Sequence, residues 1–153
     1  MGSVELKIPP PLVALLFGLV MWLVSLLGGA VDVSFGIRMS VATVVASIGV
    51  AFGFSAMASF LRAKTTMNPT KPSATSALIT HGVYRLTRNP MYLSLVLYLV
   101  AWAVYLSNWL ALLLVPVFAL YIDRFQVKPE ELALSARYGS EYASYKSRVR
   151  RWL

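Results

Sequence analysis

Between Arg38 and Arg62 the chain runs for 23 residues, 39–61, without a single charge. At about 1.5 Å of rise per residue a helix of that length covers roughly 34 Å, against a hydrocarbon core of about 30 Å. A segment this long and apolar has few homes besides a bilayer, and there the helix satisfies every backbone N–H and C=O within itself. Composition agrees: 58% of residues are hydrophobic and 13% charged, where a soluble domain carries about 25% charged. The absence of Cys excludes disulfides, thiolate zinc sites, iron–sulfur clusters and a Cys nucleophile. With His81 the single histidine, neither a metal site nor a Ser-His-Asp triad is expected. Fourteen Lys and Arg face six Asp and Glu, but they are spread over loops and tail without the basic stripe of a nucleic-acid partner.

The remaining apolar runs fill in a bundle. Pro9-Pro10-Pro11 precede the uncharged LVALLFGLVMWLVSLL, which opens a first span over 12–30, prolines being suited to a helix start. Only Lys7 precedes this run, and its length favours a span over a cleaved leader. Inside the second span, 38–61, Gly49 and Gly53 form a GxxxG flanked by Ala46 and Ala56, a spacing that lets two helix backbones approach, within the chain or in a homodimer. Residues 62–90, with Lys64, Pro69, Lys71 and Pro72, read as a polar loop of functional length. Two further spans, 90–106 and 109–126, meet at Ser107-Asn108 in a tight hairpin, with Pro116 expected to kink the second arm. Each arm is short, so these spans tilt or borrow flanking polar residues. The expected fold is an all-α integral membrane protein, one domain over 1–153, with about four transmembrane helices and an amphipathic helical tail over 128–153.

Charge sets the orientation. Lys7 lies in the head, Arg38 between the first two spans, five basic residues in the central loop and seven after the hairpin. Four crossings put head, central loop and tail on one side with thirteen of the fourteen, so both termini are expected in the cytoplasm. In the tail, Glu130 and Glu131 suit the first turn of a helix, Gly139 its end and Ser140 the next cap. Tyr138, Tyr142, Tyr145, Val149 and Trp152 share one face, fitting either a membrane surface or a lid over an embedded site.

Three clusters are candidates for chemistry, and each has a plain reading. Arg88-Asn89-Pro90-Met91-Tyr92 suits a helix start, with Asn89 capping, Pro90 in the first turn, Arg88 as a charge anchor and Tyr92 at the interface. Glu130-Glu131 answers a helix dipole, although two carboxylates beside a bilayer can also balance a cation. His81-Gly82-Val83-Tyr84 suits a turn in which Gly82 brings the backbone near a ligand.

Their order and separation bear on all three at once. ITHGVYRLTRNPMYL, a hydrophobic hairpin, then PEELALSARYGSEYASYKSRVRRWL resembles the membrane-embedded isoprenylcysteine carboxyl methyltransferases and their bacterial relatives, with a more distant likeness to phospholipid N-methyltransferases. Gly82, Tyr84, Arg88-Asn89-Pro90, Tyr92, Glu130-Glu131, Gly139, Tyr142 and Tyr145 carry the likeness over about half of the chain, and Thr65-Thr66-Met67-Asn68-Pro69 looks like the loop ahead of the motif. Asn89 departs from the His usual in eukaryotic members and cannot titrate near neutrality.

The resemblance implies an S-adenosylmethionine-dependent methyltransferase in a bacterial inner membrane, without the glycine fingerprint of a soluble dinucleotide fold. It implies cofactor contacts from His81, Gly82, Val83, Tyr84, Arg88, Asn89, Pro90, Tyr92, Glu130 and Glu131, with Arg88, Asn89 and Glu131 nearest the reaction. The implied acceptor is a lipophilic small molecule or lipid arriving sideways from the membrane. Carboxyl O-methylation of an isoprenylcysteine-like acceptor comes first; phospholipid N-methylation and thiol S-methylation are the alternatives. A small non-catalytic membrane scaffold would explain the hydropathy but not the joint spacing of the motifs.

Overall fold

The computed structural model describes residues 8–63 and 78–153. The head and the TTMNP stretch lie outside them. Five helices follow in order, α1 (Pro10–Ser25), α2 (Phe35–Arg62), α3 (Pro90–Leu106), α4 (Trp109–Ile122) and α5 (Lys128–Arg148). A 3-10 turn, Gly82–Arg85, precedes α3, and a π turn, Asp123–Val127, carries α4 into α5. No strand forms among the described residues; one isolated bridge pairs Ala30 with Asn108.

Two helical stretches are long and apolar enough to cross a membrane: Phe35–Arg62, and the 40-residue run Trp109–Arg148, whose apolar part is α4. The helices α1 and α3 are shorter, at 16 and 17 residues. The first helix ends at Ser25, not near 30, because Gly28 and Gly29 take positive φ, a conformation that leaves the helix and suits glycine alone.

The helix α2 buries almost nothing but small residues, Ala42, Gly49, Ala56 and Ser59. The first three recur every seven positions and lay one seam of the helix against α3. A Cβ added at Gly49 would sit 3.0 Å from Tyr98 and 3.3 Å from Leu97 of α3, and one at Gly53 would meet Ser94 at 3.4 Å. The GxxxG face is thus taken up within the chain. On the other side α1 lies against α3 and α4, with Phe17 edge-on to Phe118 at 5.3 Å and Trp102 Nε1 donating to the Gly18 carbonyl at 3.0 Å. Large side chains such as Leu15, Leu61 and Leu120 stay exposed, as lipid-facing positions do.

At one end of the bundle the α1–α2 connection is stitched to the hairpin tip. Val31 N–H donates to Ser107 O (2.8 Å), Trp109 N–H to Gly29 O (3.1 Å), Ser107 Oγ to Val31 O (2.7 Å) and Asn108 Nδ2 to Gly28 O (2.6 Å). Asn108 Oδ1 also caps α4 by accepting from Ala111 N–H at 3.0 Å. Ser107 adopts φ 50 to turn the hairpin in two residues. The opposite end gathers the start of α3, the end of α4 and all of α5.

Candidate functional site

The second end is charged. Arg88, at the foot of α3, donates from Nη2 to Glu131 Oε1 at 2.7 Å, and its Nη1 is spent on the carbonyls of Lys146 (3.2 Å) and Val149 (3.1 Å). Glu131 is shared with Arg151, whose Nη2 reaches Oε2 at 2.6 Å and whose Nε reaches Oε1 at 3.1 Å. Arg151 also pairs through Nη1 with Asp123 Oδ1 at 2.9 Å. The side chains of Arg88 and Glu131 are only 9% and 8% exposed, so neither charge could stand there alone.

The π turn helps to assemble this cluster. Its wider turn takes in an extra residue, which brings Asp123 and Glu131, eight positions apart, near one line of the helix for Arg151 to bridge.

The residues after α5 close the arrangement as a strap. Gly139, at φ 49 and ψ −120, breaks α5 into two pieces and turns the second toward the α3 foot. Tyr142 and Tyr145 are buried there against Tyr84, Ile79 and Ala56, with Tyr138 and Val149 packed around them, and Tyr145 OH donates to the Tyr84 carbonyl at 2.7 Å. Beyond α5, the Arg150 carbonyl accepts from Arg88 N–H (3.0 Å), and the Arg151 carbonyl from Thr87 Oγ1 (3.0 Å) and Asn89 Nδ2 (2.9 Å). Asn89 therefore does not cap α3 through its side chain; it holds the strap. Trp152 packs into the bundle core.

The two adjacent glutamates have opposite surroundings. Burial alone would raise Glu131, but the hydrogen bonds from Arg151 and the charges of Arg88, Arg151 and Lys146 outweigh it and hold the carboxyl below its usual range. Glu130 accepts from Tyr92 OH at 2.9 Å. Its carboxyl is pushed up to about 7, first by burial and further by Glu131, with the Tyr92 hydrogen bond pulling the other way. One glutamate is a fixed anion and the other can exchange a proton near neutrality.

The rest of the implied set is placed less tightly. Gly82 has φ 63 and an open flank, where an added Cβ would meet only Ser59 Oγ at 3.5 Å. Val83 is half-buried, Tyr84 and Pro90 are buried, and the Tyr84 ring stands edge-on to Phe60 at 6.0 Å. His81 is exposed, and its side chain takes no part in the charged network among the described residues. Sequence reasoning missed Arg151, Thr87 and Asp123. Asp123 left one signal, as an acid directly at the end of an apolar run.

Comparison with known proteins places this geometry. The family model described as phospholipid methyltransferase matches residues 37–141, a stretch holding Arg88, Tyr92, Glu130 and Glu131 but ending before the strap. A Haemophilus influenzae protein described as uncharacterized is 52% identical over 63 residues, covering 41% of this chain and 100% of its own length. No solved structure matches the chain. Since the family match takes in 105 of the 153 residues and includes the foot of α3 and both glutamates, the chain belongs to the phospholipid methyltransferase family of membrane methyltransferases.

Proposed function

We propose that this protein transfers a methyl group from S-adenosylmethionine to the amine of a lipid headgroup, at the cytoplasmic face of a bundle that crosses the inner membrane four times. Thirteen of the fourteen basic residues on one side support that orientation. A cysteine placed at Ser34 should react with an impermeant reagent added outside cells, and one at Ser147 should be protected.

The residues at the charged end suit the cofactor. Arg88 Nε is buried without a hydrogen-bond partner among the described residues, a donor for a carboxylate; Glu130 is an acceptor for a cationic group; the open flank of Gly82 admits a ligand against the backbone. When bound, S-adenosylmethionine supplies an electrophilic methyl on a sulfonium. The protein's task is then to position the acceptor, exclude water and manage one proton.

The observation that carries the amine reading is the raised Glu130 carboxyl, hydrogen-bonded by Tyr92 beside Glu131, which two arginines keep ionised. An ammonium headgroup must lose a proton before its nitrogen can attack, and a carboxylate titrating near 7 can take it. Glu131 is unsuited to that role because two arginines hold its charge; it positions Arg88. Thr87 and Asn89 fix the strap that encloses the site. A lipophilic carboxylate acceptor, as in isoprenylcysteine methylation, is the second reading, favoured by the free donor at Arg88 Nε. It gives Glu130 no work.

The test offers the purified protein labelled S-adenosylmethionine with an ethanolamine-headed phospholipid, a prenylcysteine and an alkyl thiol. Label is expected in the amine lipid, at an initial rate that rises with pH through about 7 as Glu130 ionises, and Glu130→Gln should remove both the rate and that limb. Label in a methyl ester of the prenylcysteine would establish the second reading, and no transfer to any acceptor would favour the scaffold.

A further inference from the structure

A cavity of about 230 Å³ opens at the end of the bundle away from the charged site, between the start of α2 and the α3–α4 hairpin. Its lining is apolar, including Val33, Ile37, Val41, Val104 and Leu112, with one charged residue, Arg38. Ser107 and Asn108 also line it, but their side chains are engaged with the α1–α2 connection. Arg38 Nε is buried and has no hydrogen-bond partner among the described residues. The guanidinium lies 5.2 Å from the Phe35 ring centroid, and no carboxylate pairs with it among the described residues.

Arg38 also sits in the first turn of α2, where the helix dipole disfavours a cation and attracts an anion. The N-cap Ser34 makes no side-chain capping bond there, so the amides of that turn are open to an external acceptor. A guanidinium whose buried Nε has no hydrogen-bond partner among the described residues therefore lines this apolar cleft, within a turn of an uncapped helix start. Among the basic residues of the described chain, this is the one on the hairpin-tip side.

We infer that this cleft binds an anionic phospholipid of the outer leaflet, its phosphate on Arg38 and the first turn of α2, and the top of an acyl chain along Ile37, Val41 and Leu112. Charge complementarity selects an anion, and the apolar walls select one that carries a hydrocarbon chain. A cleft of 230 Å³ is smaller than the roughly 300–1,000 Å³ of a site that encloses a drug-sized ligand. It suits a chain segment with the rest of the lipid in the bilayer.

Photoactivatable phosphatidylglycerol and phosphatidylcholine, each with a diazirine near the top of the acyl chain, test this on the full-length protein in nanodiscs, with cross-links mapped by peptide mass spectrometry. Phosphatidylglycerol should label the Ile37–Val41 and Leu112 peptides, about tenfold more than phosphatidylcholine does. Arg38→Gln should remove that preference and Arg38→Lys should keep most of it. Val41→Trp, which narrows the cleft and leaves Arg38 in place, should lower labelling on its own, which covers the case in which Arg38→Gln does not insert. Equal labelling by the two lipids, labelling unchanged in Arg38→Gln and Val41→Trp, or displacement by inorganic phosphate at millimolar concentration would each overturn the inference.

Discussion

The two ends of the bundle are joined in opposite ways. At the hairpin tip, Gly28, Gly29 and Val31 meet Ser107, Asn108 and Trp109 through four neutral hydrogen bonds, two donated by backbone and two by side chains. At the other end, Asp123, Glu131, Arg88 and Arg151 form a chain of charges, buried at Arg88 and Glu131 and half-buried at Asp123 and Arg151, roofed by the strap. Neutral stitching leaves behind groups that water or a neighbour can satisfy, so its loss costs a modest amount. A buried charge stripped of its partner costs far more. The tip therefore sets the helix arrangement, whereas the charged end is where arrangement and activity depend on the same residues.

Removing residues 140–153 should break the comparison most severely. It takes away Arg151, the carbonyls that hold Arg88, Thr87 and Asn89, and the Tyr145–Tyr84 bond. Equilibrium binding should show loss of S-adenosylmethionine affinity beyond 100-fold in detergent, where no anionic lipid could have anchored the tail. Unchanged affinity would make the tail a membrane anchor.

Arg88→Ala and Glu131→Gln come next. Glu131→Gln leaves the buried Arg88 without its carboxylate, a loss of about 3–5 kcal/mol. Arg88→Ala leaves Glu131 still held by Arg151 and should cost less. Each should also abolish methyl transfer by the fraction that remains folded. At the tip, Gly29→Val puts a Cβ 2.8 Å from Leu110 on a backbone of φ 79. It should cost about 2–3 kcal/mol, read by thermal unfolding, with turnover per folded molecule unchanged. Equal loss of turnover in Gly29→Val would erase the distinction between the ends.

Arg151→Gln sharpens the contrast through pH. Glu131 is held below its usual range, so its contribution is present above the unfolded value near 4.5 and lost as pH falls through the lower folded value. Without Arg151 that folded value moves up, and acid unfolding should begin at higher pH, with about 1–2 kcal/mol lost at neutrality. Glu130 works in the other direction: with a folded value of about 7, its ionised form destabilises the protein as pH rises from about 4.5 to 7. Glu130→Gln should therefore be no less stable than the parent at pH 8. The smallest effect on turnover belongs to Asn108→Ala, which removes the α4 cap and the bond to the Gly28 carbonyl and should cost about 1–2 kcal/mol of stability with turnover intact.

Those features that rest on local pattern were legible in the sequence. The charge-free interval between Arg38 and Arg62 becomes α2, and Ser107-Asn108 marks the hairpin turn because a polar pair interrupts an apolar run. Tyr138, Tyr142 and Tyr145 pack inward together at helical spacing within α5, whereas the tail helix expected to run to 153 ends at Arg148, so that Val149 and Trp152 lie in the extended strap and Trp152 joins the other core cluster. The residues alone offer Arg88 and the two glutamates as separate candidates with plain readings, and only resemblance joins them; Glu131 lies 43 positions after Arg88, which leaves no period to read. Arg151 looked like one more cytoplasmic charge, because nothing nearby says that it turns back onto Asp123 and Glu131. Asn89 has the residue type of a cap, but its amide bonds the strap instead, a choice that only the tertiary path decides. The early end of α1 could have been read from Gly28-Gly29, which look like span residues by hydropathy and act as a turn by φ.

Equilibrium binding of labelled S-adenosylmethionine to the full-length protein in detergent tests the central claim most directly, measured together on the parent, Gly29→Val and Arg88→Ala. Saturable binding is predicted for the parent and, per folded molecule, for Gly29→Val, and it should be lost in Arg88→Ala. No saturable binding by the parent, or equal affinity in Arg88→Ala, would contradict the assignment of the charged end as the site of methyl transfer.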